Sequence, residues 1–292
     1  MSLVTIIIPT RRRHDLLARA LTSVLVQTHR SIQVVVVDDN DSGDGVGTRA
    51  ELATLLADVR VVVVTESGGH SAAAARNRGL AAAHGDWITY LDDDDEYTPD
   101  KVARQLALAQ QTASPLVVCG FVYQLGARHR LKQVAGDCFE GDAVLTEATW
   151  GTPFLFHRRD LAARFDENLR AGEDTMFAFD FMRRHGVQRV PNVAAPLVIV
   201  HQQIERSNHH HRAHWRADRL VLFHRRAQFS RHARRHYLAR ARLAAVKHGG
   251  QSWMALSVAC VGLLRVGGSR EIRSVANAVL FRTGLWRRWL VS

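Results

Sequence analysis

Residues 86–100 read Asp86-Trp87-Ile88-Thr89-Tyr90-Leu91-Asp92-Asp93-Asp94-Asp95-Glu96-Tyr97-Thr98-Pro99-Asp100, an apolar strand that runs straight into five consecutive acids and then a turn. In extended backbone alternate side chains share a side, so Asp92 and Asp94 converge while Asp93 points elsewhere. Carboxylates packed this closely repel one another, and the strand ahead of them argues against a solvated acidic tail. A hard divalent cation with oxygen ligands relieves that repulsion most simply. The plainer alternative is a turn in which Asp95, Glu96 or Thr98 caps the helix that follows Pro99.

The chain on either side of this stretch alternates strand and helix patterns. Residues 4–9 form a continuous apolar run, as in a strand covered on both faces. Residues 15–27 have helical spacing, with Leu17, Leu21, Val24 and Leu25 on one side. Strands are expected at 32–37, 59–64, 87–91 and 116–124, and helices at 71–84 and 99–111. An irregular region follows, then a strand at 154–157, a helix at 173–185 and short strands at 187–190 and 196–200. Such alternation predicts a Rossmann-like α/β fold, a mostly parallel central sheet with helices on both faces. Ligands in such sheets sit at the carboxyl ends of the strands. Pro9-Thr10, Asp38-Asp39 and Asp92–Asp94 all fall at that edge. Gly43-Asp44-Gly45-Val46-Gly47 imitates a dinucleotide loop, but its spacing is wrong and it follows the second strand and not the first. A hydride-transferring dehydrogenase is thereby disfavoured.

The net charge of +11 is unevenly spread. Residues 204–292 hold 18 Arg/Lys against 3 Asp/Glu, a charge of +15, which leaves 21 against 25, or −4, for the rest. The expected division is therefore a body, 1–203, and a basic helical extension, 204–292. Within the extension, 213–248 reads as helical, Gly249-Gly250 breaks the pattern, and 251–266 and 270–290 read as two further helices. Trp215, Trp253, Trp286 and Trp289 among arginines suit an anionic membrane surface. They equally suit a helical subdomain packed on the body. RNA is a third partner, disfavoured because no nucleic-acid motif is present. His209-His210-His211 is read as basic surface, since no Cys or acid adjoins it to complete a metal site. Cys119, Cys138 and Cys260 are too few and too scattered for a disulfide scaffold, which points to a reducing compartment. The N-terminal order, apolar before basic, is wrong for a secretory signal. The longest apolar stretch, 253–264, falls short of the roughly 20 residues that span a bilayer.

Several segments carry a resemblance: residues 4–10 (Val-Thr-Ile-Ile-Ile-Pro-Thr), Val36-Val37-Asp38-Asp39, Ala75-Arg76-Asn77-Arg78-Gly79, Tyr90-Leu91-Asp92-Asp93-Asp94-Asp95 with Pro99, and Gly172-Glu173-Asp174. In this order and spacing they resemble the family 2 glycosyltransferases of GT-A fold, over most of residues 3–201. The resemblance implies a nucleotide-sugar site in which Asp39 contacts the base and Pro9 and Thr10 wall the pocket. Arg12, Asp38, Arg76, Asp92 and Asp93 join that site. Asp94 is implied as a ligand of Mg²⁺ or Mn²⁺, with Asp92 or Asp93 sharing the metal and the ribose contacts. His201 is implied near the diphosphate and is a further candidate for the metal. Asp174 is implied as the base that deprotonates an acceptor hydroxyl, with Glu173 as its fallback.

From local sequence alone, several of these residues have structural readings. Asp38 and Asp39 suit a turn cap, Arg76 a solvated helix cation, Asp174 a helix cap stabilised by the dipole, and His201 a structural histidine. The expected activity is inverting, metal-dependent sugar transfer from a nucleotide-diphosphate sugar, UDP-linked, to a glycan or lipid-linked glycan. The expected place is the cytoplasm, peripheral to the inner face of the membrane. The rivals are a nucleotidyltransferase of similar architecture and a non-catalytic relative that binds membrane or RNA.

Overall fold

The structure, a computed structural model, describes residues 1–40, 45–65, 71–125, 128–132, 136–148, 150–169, 172–201, 220–223 and 226–248. Three strands make the first half of the sheet parallel: β1 (Val4–Thr10), β2 (Ile32–Asp38) and β3 (Val61–Thr65). A fourth, β4 (Trp87–Tyr90), pairs with β1 on the side away from β2, so the order is β3-β2-β1-β4. β1 lies at the centre, and its Ile6, Ile7 and Ile8 have no exposed surface, as do Val34–Val37 of β2. Burial on both faces explains why these strands are unbroken apolar runs and do not alternate.

The helices α1 (His14–Leu25), α2 (Ala53–Leu56) and α3 (Ala72–Ala81) connect these strands. Ser71 begins α3 as its N-cap, its Oγ accepting the Ala74 N–H at 3.2 Å. Gly79 lets this helix lie close on the sheet: a Cβ there would stand 2.3 Å from Ile7 Cγ2.

Beyond β4 the sheet becomes mixed. β5 (Glu96–Tyr97) is followed by α4 (Lys101–Thr112), β6 (Leu116–Leu125), β7 (Arg128–Lys132), β8 (Cys138–Glu140) and α5 (Asp142–Thr146). Then come β9 (Phe156–Arg158), α6 (Glu173–Arg184) and β10 (Arg189–His201). The sheet continues past β4 as β9-β6-β10-β5, with β7 against β6 and β8 against β10. β9 is antiparallel to β4 and β6, while β10 is parallel to β6.

Several features differ from the sequence expectation, among them β7, β8 and α5 in the region expected to be irregular. The two short strands expected at 187–190 and 196–200 are one strand, β10, whose register slips on either side of Pro196. Pro196 has no N–H to give a ladder, and the strand accommodates it with a bulge. Gly120 of β6 makes this bulge possible, since a Cβ there would meet Ala195 O at 2.7 Å. β5 was not expected, because it lies within the acid run and is defined by pairing with β10 alone.

The described contacts divide the chain into two compact units. The first comprises Met1–Glu140, Glu147–Asn168 and Glu173–Gln202. The second takes in Gly141–Thr146, Leu169–Gly172 and the chain from Gln203 onward. In the second unit α5 packs against α7 (Arg231–His248), and Asp142 Oδ1 accepts the Ser230 N–H at 2.8 Å. Ser230 then caps α7 through Ala233 N–H. The expected helices at 251–266 and 270–290, His209–His211 and the four tryptophans of the extension lie outside the described residues. Among the described residues no helix is long and apolar enough to cross a membrane.

Candidate active site

The carboxyl ends of β1, β2 and β4 meet at a cavity of about 450 Å³. Pro9, Thr10, Arg11, Arg13, Asp39, Ala72, Ala75, Arg76 and Asp92–Asp94 line it. Its volume suits a small-molecule ligand. The acid run forms one wall, and each of its members has a different environment.

Asp93 is 4% exposed; its Oδ2 accepts Thr10 Oγ1–H at 2.9 Å and its Oδ1 accepts Arg13 Nη1–H at 2.9 Å. Burial raises its pKa, against the pull of Arg13 and the Thr10 hydrogen bond. The same Arg13 nitrogen reaches Asp94 Oδ2, also at 2.9 Å. Asp95 is buried as well and accepts the His201 backbone N–H at 3.1 Å. Burial, then the Asp92 and Asp94 charges, drives its pKa far above the carboxylate range. Arg19 donates to the Asp94 carbonyl at 2.6 Å and lies 3.3 Å from Glu96, which pins the backbone of the run.

Arg76 joins this wall to the start of α6. It is 5% exposed, its Nη2–H reaches Asp92 Oδ1 at 2.7 Å and its Nη1–H reaches Glu173 Oε1 at 2.9 Å. Burial alone disfavours its charge, but the Asp92 and Glu173 carboxylates outweigh that and hold it firmly protonated. The guanidinium also sits 5.7 Å above the Phe165 ring, which stacks on Phe177 of α6 at 4.3 Å. Asn77, one position along α3, fixes the same segment: it exchanges two hydrogen bonds with the Phe165 backbone and donates to Glu167. The charged face of α3 and the first turn of α6 are thus held together by packing and by ion pairs.

Among the described residues, no such cation lies in hydrogen-bond reach of Asp174, next to Glu173. It accepts Thr175 N–H at 2.6 Å and Thr175 Oγ1–H at 3.3 Å. The residue is only half-buried, yet its carboxyl lies deep among protein atoms, which with the Glu173 charge lifts its pKa to about 7. A carboxylate poised there can accept a proton near neutral pH.

At the end of β2 the two neighbouring acids part. Asp38 turns into its own loop, Oδ1 accepting Asn40 Nδ2–H at 2.5 Å and Oδ2 accepting Val46 N–H at 2.7 Å. Asp39 lines the cavity, with its backbone N–H on Thr10 O and its carboxylate 3.7 Å from Arg78. Arg12 adopts a left-handed backbone (φ 55°) and donates its N–H to Asn40 Oδ1 at 2.5 Å, so its backbone braces the loop beside the cavity. Pro9, Thr10, Asp39, Arg76, Asp92, Asp93 and Asp94 are brought together, while Asp38 and Arg12 are not among the lining residues.

His201 Nε2 meets Glu96 Oε1 at 2.6 Å, on the far side of the acid run from Arg76. Among the described residues no three His, Cys, Asp or Glu side chains gather closely enough to hold a metal by themselves. The donor set still fits a small divalent cation. Asp92 and Asp94 are 34% and 24% exposed at the side chain, and both contacts to the Asp92 carboxyl fall on one oxygen, Oδ1. Mg²⁺ is ordinarily held by one or two carboxylates together with substrate phosphates and waters, not by an all-protein cage.

Sequence reasoning missed Arg13, Thr152 (3.5 Å from Asp92 Oδ1) and the Arg76–Glu173 pair. For Arg13 a signal existed. A basic run after β1 faces an acid run after β4, and the two strands are neighbours.

The family model for "Glycosyl transferase family 2" matches residues 5–182, more than half of the chain. The chain belongs to glycosyl transferase family 2. Within the family it is 32% identical over 188 residues to the succinoglycan biosynthesis protein ExoO of Rhizobium meliloti, covering 59% of this chain and 53% of that protein. It is 30% identical over 106 residues to WfaP of Escherichia coli, a UDP-Glc:α-D-GlcNAc-diphosphoundecaprenol β-1,3-glucosyltransferase, covering 36% and 41%. The chain spans about half the length, or less, of the curated relatives it matches. Among solved structures, Staphylococcus aureus TarS 1–349 with UDP-GlcNAc superposes at a TM-score of 0.66 with 15% identity, over 97% of this chain and 88% of that one. The mannosyltransferase PcManGT of Pyrobaculum calidifontis, with GDP-Man and Mn²⁺, superposes at 0.55 with 16% identity, over 95% and 84%. At such identities the likeness concerns the fold, which is GT-A: a mixed α/β unit around a curled, mostly parallel sheet.

Proposed function

We propose that this family 2 glycosyltransferase is inverting and transfers a sugar from a UDP-linked donor to a hydroxyl of a glycan or lipid-linked glycan. One observation carries the reading. A single buried guanidinium, Arg76, ties Asp92 on the cavity wall to Glu173, directly beside the enclosed Asp174. Direct displacement needs a base opposite the departing diphosphate, and Asp174 has the protonation behaviour that task requires.

In this reading Asp174 takes the proton of the acceptor hydroxyl, and that oxygen attacks the anomeric carbon while the nucleoside diphosphate departs. Glu173, bound to Arg76, orients the first turn of α6. That engagement makes it the weaker candidate for the base. Asp39 contacts the nucleobase between Pro9 and Thr10, and Asp38 and Arg12 shape the loop around it. Asp94 and Asp92 hold Mg²⁺ or Mn²⁺, which supplies positive charge to the leaving diphosphate. The presence of UDP-GlcNAc in TarS supports the UDP-linked donor, and that of Mn²⁺ in PcManGT supports the metal. The lipid-linked acceptor rests on the +15 charge of residues 204–292 and on the undecaprenol-linked acceptor named for WfaP.

A panel of nucleotide sugars incubated with Mn²⁺ tests the reading. Release of a nucleoside diphosphate with inversion at the anomeric carbon is expected. Release of pyrophosphate would reassign the chain to nucleotidyl transfer. Removing residues 249–292 should lower turnover of a lipid-linked acceptor and recovery on anionic vesicles; unchanged values would discard the membrane role.

A further inference from the structure

Arg13 has no role in the chemistry just described, yet it pairs with Asp94, one of the residues that would bind the metal, and with the neighbouring Asp93. One of its nitrogens, Nη1, lies 2.9 Å from both Asp93 Oδ1 and Asp94 Oδ2. Its side chain lines the same cavity and remains 34% exposed, so it has room to move. Arg12, in its left-handed conformation, delivers Arg13 to the start of α1 beside the acid run. We propose that Arg13 is a resident counter-cation of the acid run, which holds the divalent-cation site closed until the donor's diphosphate arrives and then transfers to that diphosphate. The proposal rests on the functional reading above.

Charge balance gives the physical reason. The cavity wall carries four carboxylates, Asp39 and Asp92–Asp94, against three guanidinium groups, Arg11, Arg13 and Arg76, a formal −1. A divalent cation alone would take it to +1, and a diphosphate alone to −3. Both together restore −1. Each ligand therefore improves the site for the other, and Arg13 is the group whose partner must change. While it bridges Asp93 and Asp94, it occupies a lone-pair direction a metal would use. A diphosphate likewise offers a guanidinium a pair of oxygens, so the arginine exchanges one pair of oxygens for another. By linkage the coupling is reciprocal. Arg76 is unsuited to this exchange because it is almost wholly buried and engaged with carboxylates on both sides.

The test is calorimetric titration of Mn²⁺ into the full chain, with and without UDP, for wild type, Arg13→Gln and Arg13→Lys, each checked for unchanged far-ultraviolet dichroism. Wild type should bind Mn²⁺ at least about tenfold more tightly when UDP is present. Arg13→Gln should bind Mn²⁺ alone about tenfold more tightly than wild type, bind UDP alone more weakly, and lose most of the coupling. Arg13→Lys, which keeps the charge, should retain the coupling. Mn²⁺ binding whose coupling to UDP is the same in Arg13→Gln as in wild type overturns the inference and leaves the functional reading intact. Coupling lost as fully in Arg13→Lys as in Arg13→Gln also overturns it. If wild type binds neither Mn²⁺ nor UDP, the functional reading fails and takes the inference with it.

Discussion

Arg76 joins two acidic segments, the run after β4 and the first turn of α6, and they use neighbouring carboxylates in opposite ways. In the acid run Asp92, Asp93, Asp94 and Glu96 each face a cation, from Arg76, Arg13 or Arg19. Those charges stay compensated, and the run presents a fixed, pre-formed wall. At the start of α6, Glu173 pairs with Arg76, while among the described residues the hydrogen bonds to the Asp174 carboxylate come from Thr175. The charge of Asp174 is therefore costly and its proton is held loosely near neutral pH. The residue types are the same in both places. Arg76 pairs directly with Asp92 and Glu173, whereas Asp174 is governed first by burial and by the Glu173 charge, which is what suits it to the proposed proton transfer.

Exchanging the carboxyl for an amide at each end breaks that comparison most directly. Asp174→Asn should lower kcat by about a thousandfold, within the range for loss of a positioned general base. Glu173→Gln should cost far less, since it retains an oxygen for Arg76. Measuring donor turnover with a saturating acceptor checks both. Equal losses in the two variants would show that the segment acts as a unit and that Asp174 has no special part. Asp174→Asn should also melt at a higher temperature than wild type at pH 8, with the difference gone below about pH 3. The sign follows from the raised pKa: above about 7 the native state carries a charge it disfavours, and below the unfolded-state value both states are neutral.

Removing the shared cation acts on both segments at once. Arg76→Ala leaves Asp92 and Glu173 without their partner and should cost about 3 kcal/mol of stability, at the low end for a broken buried pair because Asp92 can regain water. Denaturant melts report this loss, and a change under about 1 kcal/mol would mean that the clamp does not hold the segments together.

The fold was largely legible because its first hundred residues obey one rule. Apolar runs end in polar clusters, and those clusters fall on one edge of the sheet. What escaped had a physical cause in each case. β5 exists only through its pairing with β10, and β10 runs on through 191–195, outside both expected strands, with its register slipping at Pro196. Within the site, the acid run was visible as a pattern, but its partners were not. Arg76 and Glu173 lie 97 positions apart, and no local spacing announces an ion pair that reaches from α3 to the first turn of α6. The split between Asp38 and Asp39 was equally hidden, since it depends on Asn40 and Val46 closing a loop around one of two adjacent carboxylates.

A graded effect with pH sharpens the comparison further. If proton transfer to Asp174 limits the reaction, kcat/KM should be level above about pH 7 and fall about tenfold per unit below it, as the base becomes protonated. A profile that stays level down to pH 5 would remove Asp174 as the base.

The smallest expected effects separate the two acids that follow β2, a miniature of the same contrast. Asp38 is spent within its loop, so Asp38→Asn turns an amide N–H toward either Asn40 or the Val46 N–H and sets donor against donor. That should cost about 1–2 kcal/mol of stability with the donor KM nearly unchanged. Asp39 faces the cavity, so Asp39→Asn should leave the melt close to wild type and raise the donor KM by up to about tenfold, the worth of one charged hydrogen bond. The pair is informative because sequence position barely distinguishes the residues. If both variants shifted the donor KM equally, the loop and the pocket would be one functional element; if neither did, the base-binding edge would lie elsewhere on the cavity.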